Sequence, residues 1–236
     1  MVKYERRSTS VAVVMFPVRW NAMLEVIVEH AARSGAENMA IDESLLVSAI
    51  ESKTETLRLY RWREPTVSLG YFQKEDDPVL TTRFAGLPQV RRLSGGGALL
   101  HHRELTYSVT LPDGHPLADA PTLLYDQVHA ALVSLLNALG APARVRGEKL
   151  TEPEPFLCFG RGDPRDIVLA GYKIVGSAQR RRKGAILQHG ALLLERSPYA
   201  PEFPGLFDLA GQTRRDDLPL MQAIADTLRQ IPALKS

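Results

Sequence analysis

The apolar pattern of this chain predicts an α/β (α+β) fold, with a central mixed, largely antiparallel sheet flanked by helices. Two segments have helical spacing, several short runs alternate in period two, and there is no internal repeat or low-complexity tract. A chain of 236 residues suits one unit spanning the whole sequence and can bury most of its apolar surface.

Residues 37–51 carry Ile41, Leu45, Leu46 and Ile50 at helical spacing, with Asp42 and Glu43 early, where the helix dipole favours negative charge. Residues 57–62 and 67–72 alternate in period two across Glu64-Pro65 and predict two strands that pair antiparallel. Residues 89–93 and 105–111 predict strands entering and leaving a glycine run. Pro121 opens a long helix to about Leu139, with Leu124, Val128, Leu132, Leu135 and Leu136 on one face and Gly140 as its stop. Strands are expected at 143–146, 166–169, 172–175 and 185–194, and a closing helix at 218–231, ended by Pro232. Residues 112–121 and 148–164 read as irregular, and the first thirty-odd residues as an edge strand and connector.

Composition excludes several classes. A net charge of +2 is too small for a general nucleic-acid or membrane binder. Cys158 is the single cysteine, so an intramolecular disulfide and multi-thiolate metal sites are excluded, no metal is expected, and a reducing cytoplasm fits. The early apolar run at 11–16 is far short of a membrane span of about 20 residues. Arg6-Arg7 before it lacks a following small-residue cleavage site and is not read as an export signal.

The chemistry centres on two stretches. Residues 91–101 read Arg-Arg-Leu-Ser-Gly-Gly-Gly-Ala-Leu-Leu-His, and 173–178 read Lys-Ile-Val-Gly-Ser-Ala, followed by Leu187-Gln188-His189-Gly190. Three successive glycines suit positive φ or close approach of a ligand to the main chain. The run lacks the Lys-Ser/Thr ending of a phosphate loop and the spacing of a dinucleotide fingerprint. Candidate substrate-binding residues are Arg91, Arg92, Ser94, Gly95, Gly96, Gly97, His101, Gly176, Ser177, Ala178, His189 and Gly190. Arg91 and Arg92 alternate along a strand, so at most one of them faces a pocket. The histidines are taken as packed, hydrogen-bonded pocket residues rather than acids or bases. Arg180, Arg181, Arg182 and Lys183 are read as a solvated hairpin tip that could also steer an acidic partner.

From about Asn38 to Glu195 the chain resembles the biotin/lipoate protein ligase superfamily, closest to the cysteine-dependent octanoyltransferases and the lipoate-protein ligase A family. Residues 38–43, 57–73, 91–108, 173–179 and 184–194 carry the resemblance in one order. It implies the central mixed sheet of class II aminoacyl-tRNA synthetases and biotin ligases.

Two chemistries follow from it. A ligase uses ATP and magnesium to make an acyl-adenylate. An octanoyltransferase takes its acyl group from acyl carrier protein through a cysteine thioester and needs neither. Each delivers the group to a lysine of a lipoyl domain, in 2-oxo acid dehydrogenases or the glycine cleavage H protein. Cys158, in Pro155-Phe156-Leu157-Cys158-Phe159, looks like the transferase cysteine-phenylalanine block, and Lys173 matches the lysine that both branches place beside the acyl group. Gly97 argues the other way, because many transferases have arginine there.

The resemblance thus implies Cys158 as nucleophile and Lys173 as the cation beside it. The short region after Leu194 argues against the separate C-terminal domain of many ligases. An octanoyl or lipoyl amidotransferase working between lipoylated proteins shares these features, as would a non-enzymatic acyl- or biotin-binding module.

Overall fold

The computed structural model describes residues 23–150 and 155–234. The early apolar run and Arg6-Arg7 lie outside them. Ten strands and six helices follow in order: β1 (Glu25–Val28), α1 (Gly35–Glu51), β2 (Thr56–Tyr60), β3 (Thr66–Leu69), α2 (Pro78–Thr82), β4 (Gln89–Arg91), β5 (Leu99–His101), β6 (Glu104–Leu111), α3 (Pro116–Asp119), α4 (Pro121–Ala138), β7 (Arg144–Val145), β8 (Ile167–Leu169), β9 (Tyr172–Arg182), β10 (Ala185–Leu193), α5 (Leu206–Ala210) and α6 (Leu218–Leu228). The expected fold class is what the chain adopts.

A seven-stranded sheet runs β1-β2-β6-β10-β9-β8-β7, and β4-β3-β5 form a second, smaller sheet. In the large sheet only β1 and β2 are parallel. The expected hairpin of β2 with β3 does not form. Instead β2 pairs with β6, and β3 with β4 and β5. Every residue of both strands is buried, so each needs cover on both faces, and the chain turns at Pro65 from one sheet into the other. The eight-residue β6 supplies the long antiparallel edge that a β3 of four residues could not.

One face of the large sheet packs on α4 and α6, where Leu57, Leu59 and Val109 meet Leu124, Val128, Leu132, Met221 and Ile224. Burying such side chains is the main favourable term in folding, at about 25 cal/mol per Å². Gly140, at φ +83°, ends the run after α4 as expected. Helix α6 stops at Leu228, three residues before the expected end, and the segment expected to be irregular before α4 contains α3.

Helix α1 covers the opposite face. Ser34 caps it with Glu37 in a reciprocal capping box. Its buried residues are Gly35, Asn38, Asp42, Leu46 and Ala49, so the first half of the inner face is polar and Ile41 lies off it. The cause is Arg58 on β2, which is fully buried. Its guanidinium donates to Asp42 at 2.9 Å, to the Asn38 side chain at 2.8 Å and to Glu29 at 3.2 Å. An unpaired buried charge is strongly unfavourable, and this pairing dictates the helix register.

Strands β9 and β10 form a hairpin closed by Lys183 and Gly184, both at positive φ. Strand β9 runs on to Arg182, well past the expected end at Val175. Its start is irregular. Val168 pairs with Lys173 and Ile167 with Val175, so Ile174 is an extra residue, and both Ile174 and Val175 are buried in the α4 core. This β-bulge re-aims the strand and leaves Lys173 and Gly176 on the side away from α4.

Candidate active site

Between α1, the glycine turn and the β9–β10 hairpin lies a cavity of about 530 Å³, its open mouth included. Its walls are mostly apolar or bare backbone. Met39, Tyr60, Trp62, Leu99 and Ala191 supply side chains, and Gly95, Gly96, Gly176 and Gly190 supply peptide groups. A lining of this kind suits a short aliphatic chain with a polar head.

The polar end holds Cys158 and Lys173. The 155–159 segment is anchored beside β5 by Ala98 N to Phe156 O at 3.1 Å and Cys158 N to Ala98 O at 2.7 Å. Cys158 then begins a single 3-10 turn, half-buried. Lys173 is 7 % exposed, and its Nζ donates to Asp166 Oδ1 at 2.9 Å and to the Cys158 carbonyl at 3.2 Å, with Cys158 Sγ 3.7 Å away. An ammonium has three N–H donors; two are taken by oxygens and the third is directed at sulfur. The ring of Phe159 lies 5.5 Å from the same nitrogen. Burial pushes the Asp166 carboxyl upward, against the pull of Lys173. Thiol and cation therefore share one corner of an apolar pocket, the arrangement that attack on a thioester or support of an oxyanion requires.

The remaining candidates divide into liners and supports. Arg92, Gly95, Gly96, His101, Gly176, Ser177, Ala178, His189 and Gly190 line the cavity; Arg91, Ser94 and Gly97 do not. Arg92 lies under the glycine turn and donates to the carbonyls of Ser68, Gly95 and Gly97 at 2.7, 3.2 and 2.8 Å. Burial lowers it to about 10, with the neighbouring Cys158 and Glu104 opposing, so it keeps its charge. Arg91 points elsewhere, as strand alternation requires. It donates to the carbonyls of Gly70, Tyr71 and Gln73 and pairs with Glu75 at 2.6 Å. Ser94 is buried behind the turn against His189 Nε2. A Cβ on Gly97 would sit 2.6 Å from the Arg161 guanidinium carbon, so an arginine from another part of the chain fills the seat of a side chain at 97.

Both histidines are held on two sides. His189 Nδ1 faces Asp42 at 3.6 Å, and His101 Nδ1 lies 2.8 Å from Glu104, with Nε2 2.6 Å from Ser68. A carboxylate only accepts, so Nδ1 of His101 donates to Glu104, and Nε2 of each neutral ring accepts from serine. Burial opposes ionisation of Asp42, but the neighbouring His189, the Arg58 guanidinium and the Tyr60 hydroxyl, which donates to it at 2.8 Å, outweigh this and lower its pKa. Burial lowers His101 despite Glu104. His101 also stacks on Trp62, with ring centroids 3.7 Å apart.

The sheet's far face carries a buried polar chain behind the cavity wall. His129 of α4 contacts the Arg165 carbonyl and Ser177 Oγ, each at 2.6 Å, and Tyr107 OH lies 2.6 Å from the same serine. Burial, with the Lys173 charge added, pushes His129 down to about 4. Nδ1 faces a carbonyl and donates, so neutral Nε2 accepts from Ser177, Ser177 accepts from Tyr107, and Tyr107 accepts from Gln188 at 3.1 Å. Ser177 therefore meets the cavity with its backbone and spends its hydroxyl behind it.

Asp166, Tyr60, Trp62, Arg161 and His129 are functional or supporting residues not singled out from the sequence. Tyr60 and Trp62 alternate within a matched block, which was the available signal. Asp166 read only as the start of a strand.

The model of the lipoyl protein ligase A/B catalytic domain matches residues 34–200. The Octanoyltransferase LipM of Carboxydothermus hydrogenoformans is 40% identical over 172 residues, 71% of this chain and 64% of its own length. That of Moorella thermoacetica is 42% identical over 166 residues, 66% of this chain and 60% of its own. The chain thus spans less than two thirds of these relatives. Among solved structures, Ta0514 of T. acidophilum with bound lipoic acid superposes with a TM-score of 0.66 at 23% identity, covering 89% of this chain and 85% of that one. A lipoate-protein ligase A bound with ATP gives 0.59 at 24%, covering 88% and 82%. At those identities the likeness is one of fold. By the extent of the matched domain, the chain belongs to the lipoyl protein ligase A/B catalytic domain family.

Proposed function

We propose that this chain is an octanoyltransferase of protein lipoylation that carries the acyl group as a thioester on Cys158. The observation behind this reading is the 3.7 Å approach of Lys173 Nζ to Cys158 Sγ at the polar end of an apolar cavity. The two relatives named as octanoyltransferases support it.

The donor is octanoyl-acyl carrier protein. Cys158 sulfur attacks its thioester carbonyl, forming a new carbon–sulfur bond. The tetrahedral oxyanion is met by the Lys173 ammonium. Collapse breaks the donor carbon–sulfur bond, and the carrier thiol leaves with the proton that Cys158 gave up. In the second half, the ε-amine of an acceptor lysine on a lipoyl domain attacks the octanoyl-enzyme. A carbon–nitrogen bond forms, the bond to Cys158 breaks, and the proton released by the amine returns to sulfur. The aliphatic tail stays among Met39, Trp62, Leu99 and Ala191. This route consumes no ATP and requires no metal ion, and a working thiol suits a reducing cytoplasm.

The test supplies purified protein and an apo-lipoyl domain with either octanoyl-acyl carrier protein or octanoate, ATP and magnesium. A cysteine-linked octanoyl adduct, and product amide from the first mixture alone, are expected. Product only from the ATP mixture, or full transfer by Cys158→Ala, would overturn the thioester route.

A further inference from the structure

We infer that the edge formed by Tyr71, Phe72 and Arg180, continued toward the hairpin tip by Arg182 and Lys183, is the docking surface for an acidic domain that presents the acceptor lysine. This rests on the transferase reading above.

Phe72 is 83% exposed and Tyr71 43%, and their rings meet edge to face at 5.0 Å. Two large aromatic residues held together in water are unfavourable unless something covers them. The backbone that carries them is anchored. Arg91 spends its guanidinium on the carbonyls of Gly70, Tyr71 and Gln73 and on Glu75. Aromatic rings on an anchored turn beside arginine are the composition of binding hot spots.

Position ties this edge to the cavity. Tyr71 N donates to Ser94 O at 2.9 Å, which places the aromatic turn against the glycine turn. From the other wall, Arg180 lies on the same face of β9 as Ala178, a cavity residue, and its guanidinium carbon sits 4.7 Å above the Tyr71 ring. The Tyr71–Arg180 contact thus joins the two walls, and Phe72 stands outside it.

Charge and reach select the occupant. Residues 180–183 are four consecutive cations at a hairpin tip; Arg180 and Arg182 share the face of β9 that carries Ala178, Arg182 pairs with Glu43 at 3.4 Å, and Lys183 is exposed at the turn. Complementarity calls for carboxylates on the partner. A lysine amine stands on a four-carbon stem, so its backbone must lie flush against the cavity edge to reach Cys158. A donor thioester on a long flexible arm has no such need. The acceptor domain, rather than the carrier protein, is therefore the occupant.

The experiment separates the two half-reactions in Phe72→Ala and in the double variant Arg180→Glu/Lys183→Glu. Acylation of Cys158 by octanoyl-pantetheine, read by mass spectrometry, should stay within about twofold of wild type, while the second-order rate of transfer to an apo-lipoyl domain falls about tenfold. Salt should depress the wild-type transfer rate more than that of the double variant. Wild-type transfer rates in both variants would overturn the inference. So would slowed acylation from octanoyl-acyl carrier protein with intact transfer, which would assign the surface to the donor. Should wild type form no adduct, the transferase reading fails separately. Titration of the apo-lipoyl domain onto Cys158→Ser protein then decides the docking surface: binding weakened by Phe72→Ala supports it, and unchanged or absent binding rejects it.

Discussion

Asp166 holds the amine of Lys173 at 2.9 Å, with both side chains almost wholly buried. The carboxylate fixes the ammonium where its remaining donor meets Cys158 Sγ. Asp166→Asn keeps the shape and removes the charge, so single-turnover acylation should slow by about one to two orders of magnitude, comparable to losing a preorganised electrostatic partner. An unchanged rate in a folded variant would separate this ion pair from the chemistry.

Lys173→Met keeps most of the stem and deletes the ammonium. Acylation of Cys158 should fall by about 10²-fold or more, while octanoate binding to the cavity, measured by titration, changes little. Equal losses in binding and rate would assign Lys173 to substrate capture instead.

Gly176 and Gly190 should fail differently when changed to alanine. A Cβ on Gly176 would meet Lys173 Cε at 2.5 Å, the far end of a flexible side chain, so Gly176→Ala displaces the lysine and costs acylation rate rather than stability. A Cβ on Gly190 would meet the Tyr107 ring at 2.5 Å and Ser177 Oγ, both fixed in the buried hydrogen-bond chain. Gly190→Ala should therefore destabilise the fold, by about 1 to 3 kcal/mol. Urea melts and acylation rates on both variants test the contrast.

His129 should make the protein acid-sensitive. Its folded pKa is held near 4, below that of an exposed histidine at about 6.5. The unfolded chain therefore takes up a proton first as pH falls. The stability His129 contributes is full above about pH 6.5 and drains away down to about pH 4, with a total on the order of 3 kcal/mol. In urea titrations at pH 7 and pH 4.5, His129→Gln should lose less stability than wild type. Parallel losses would place the acid sensitivity elsewhere.

Much of the architecture was legible locally. Helices α1 and α4, the β9–β10 hairpin and the strands β4 and β6 on either side of the glycine turn follow from periodicity, from Gly140 as a stop and from the basic run 180–183 as a hairpin tip. Where the reading slipped, the missing information was long-range. The polar inner face of α1 exists because Arg58, sixteen residues beyond Asp42, is buried against it. The β2–β3 hairpin fails because β6, more than forty residues further on, is the longer antiparallel partner.

The site divides the same way. From the sequence came its chemical inventory: one thiol, a lysine beside small residues and a glycine turn, all within family blocks. Tertiary structure decided which of these meet. A bulge at Ile174 turns Lys173 toward Cys158, and alternation sends Arg92 under the turn and Arg91 to the aromatic edge. The reason is physical: side-chain type is carried by each residue alone, whereas a 3.7 Å contact depends on pairing registers and buried charges from separate strands and helices, which no local window contains.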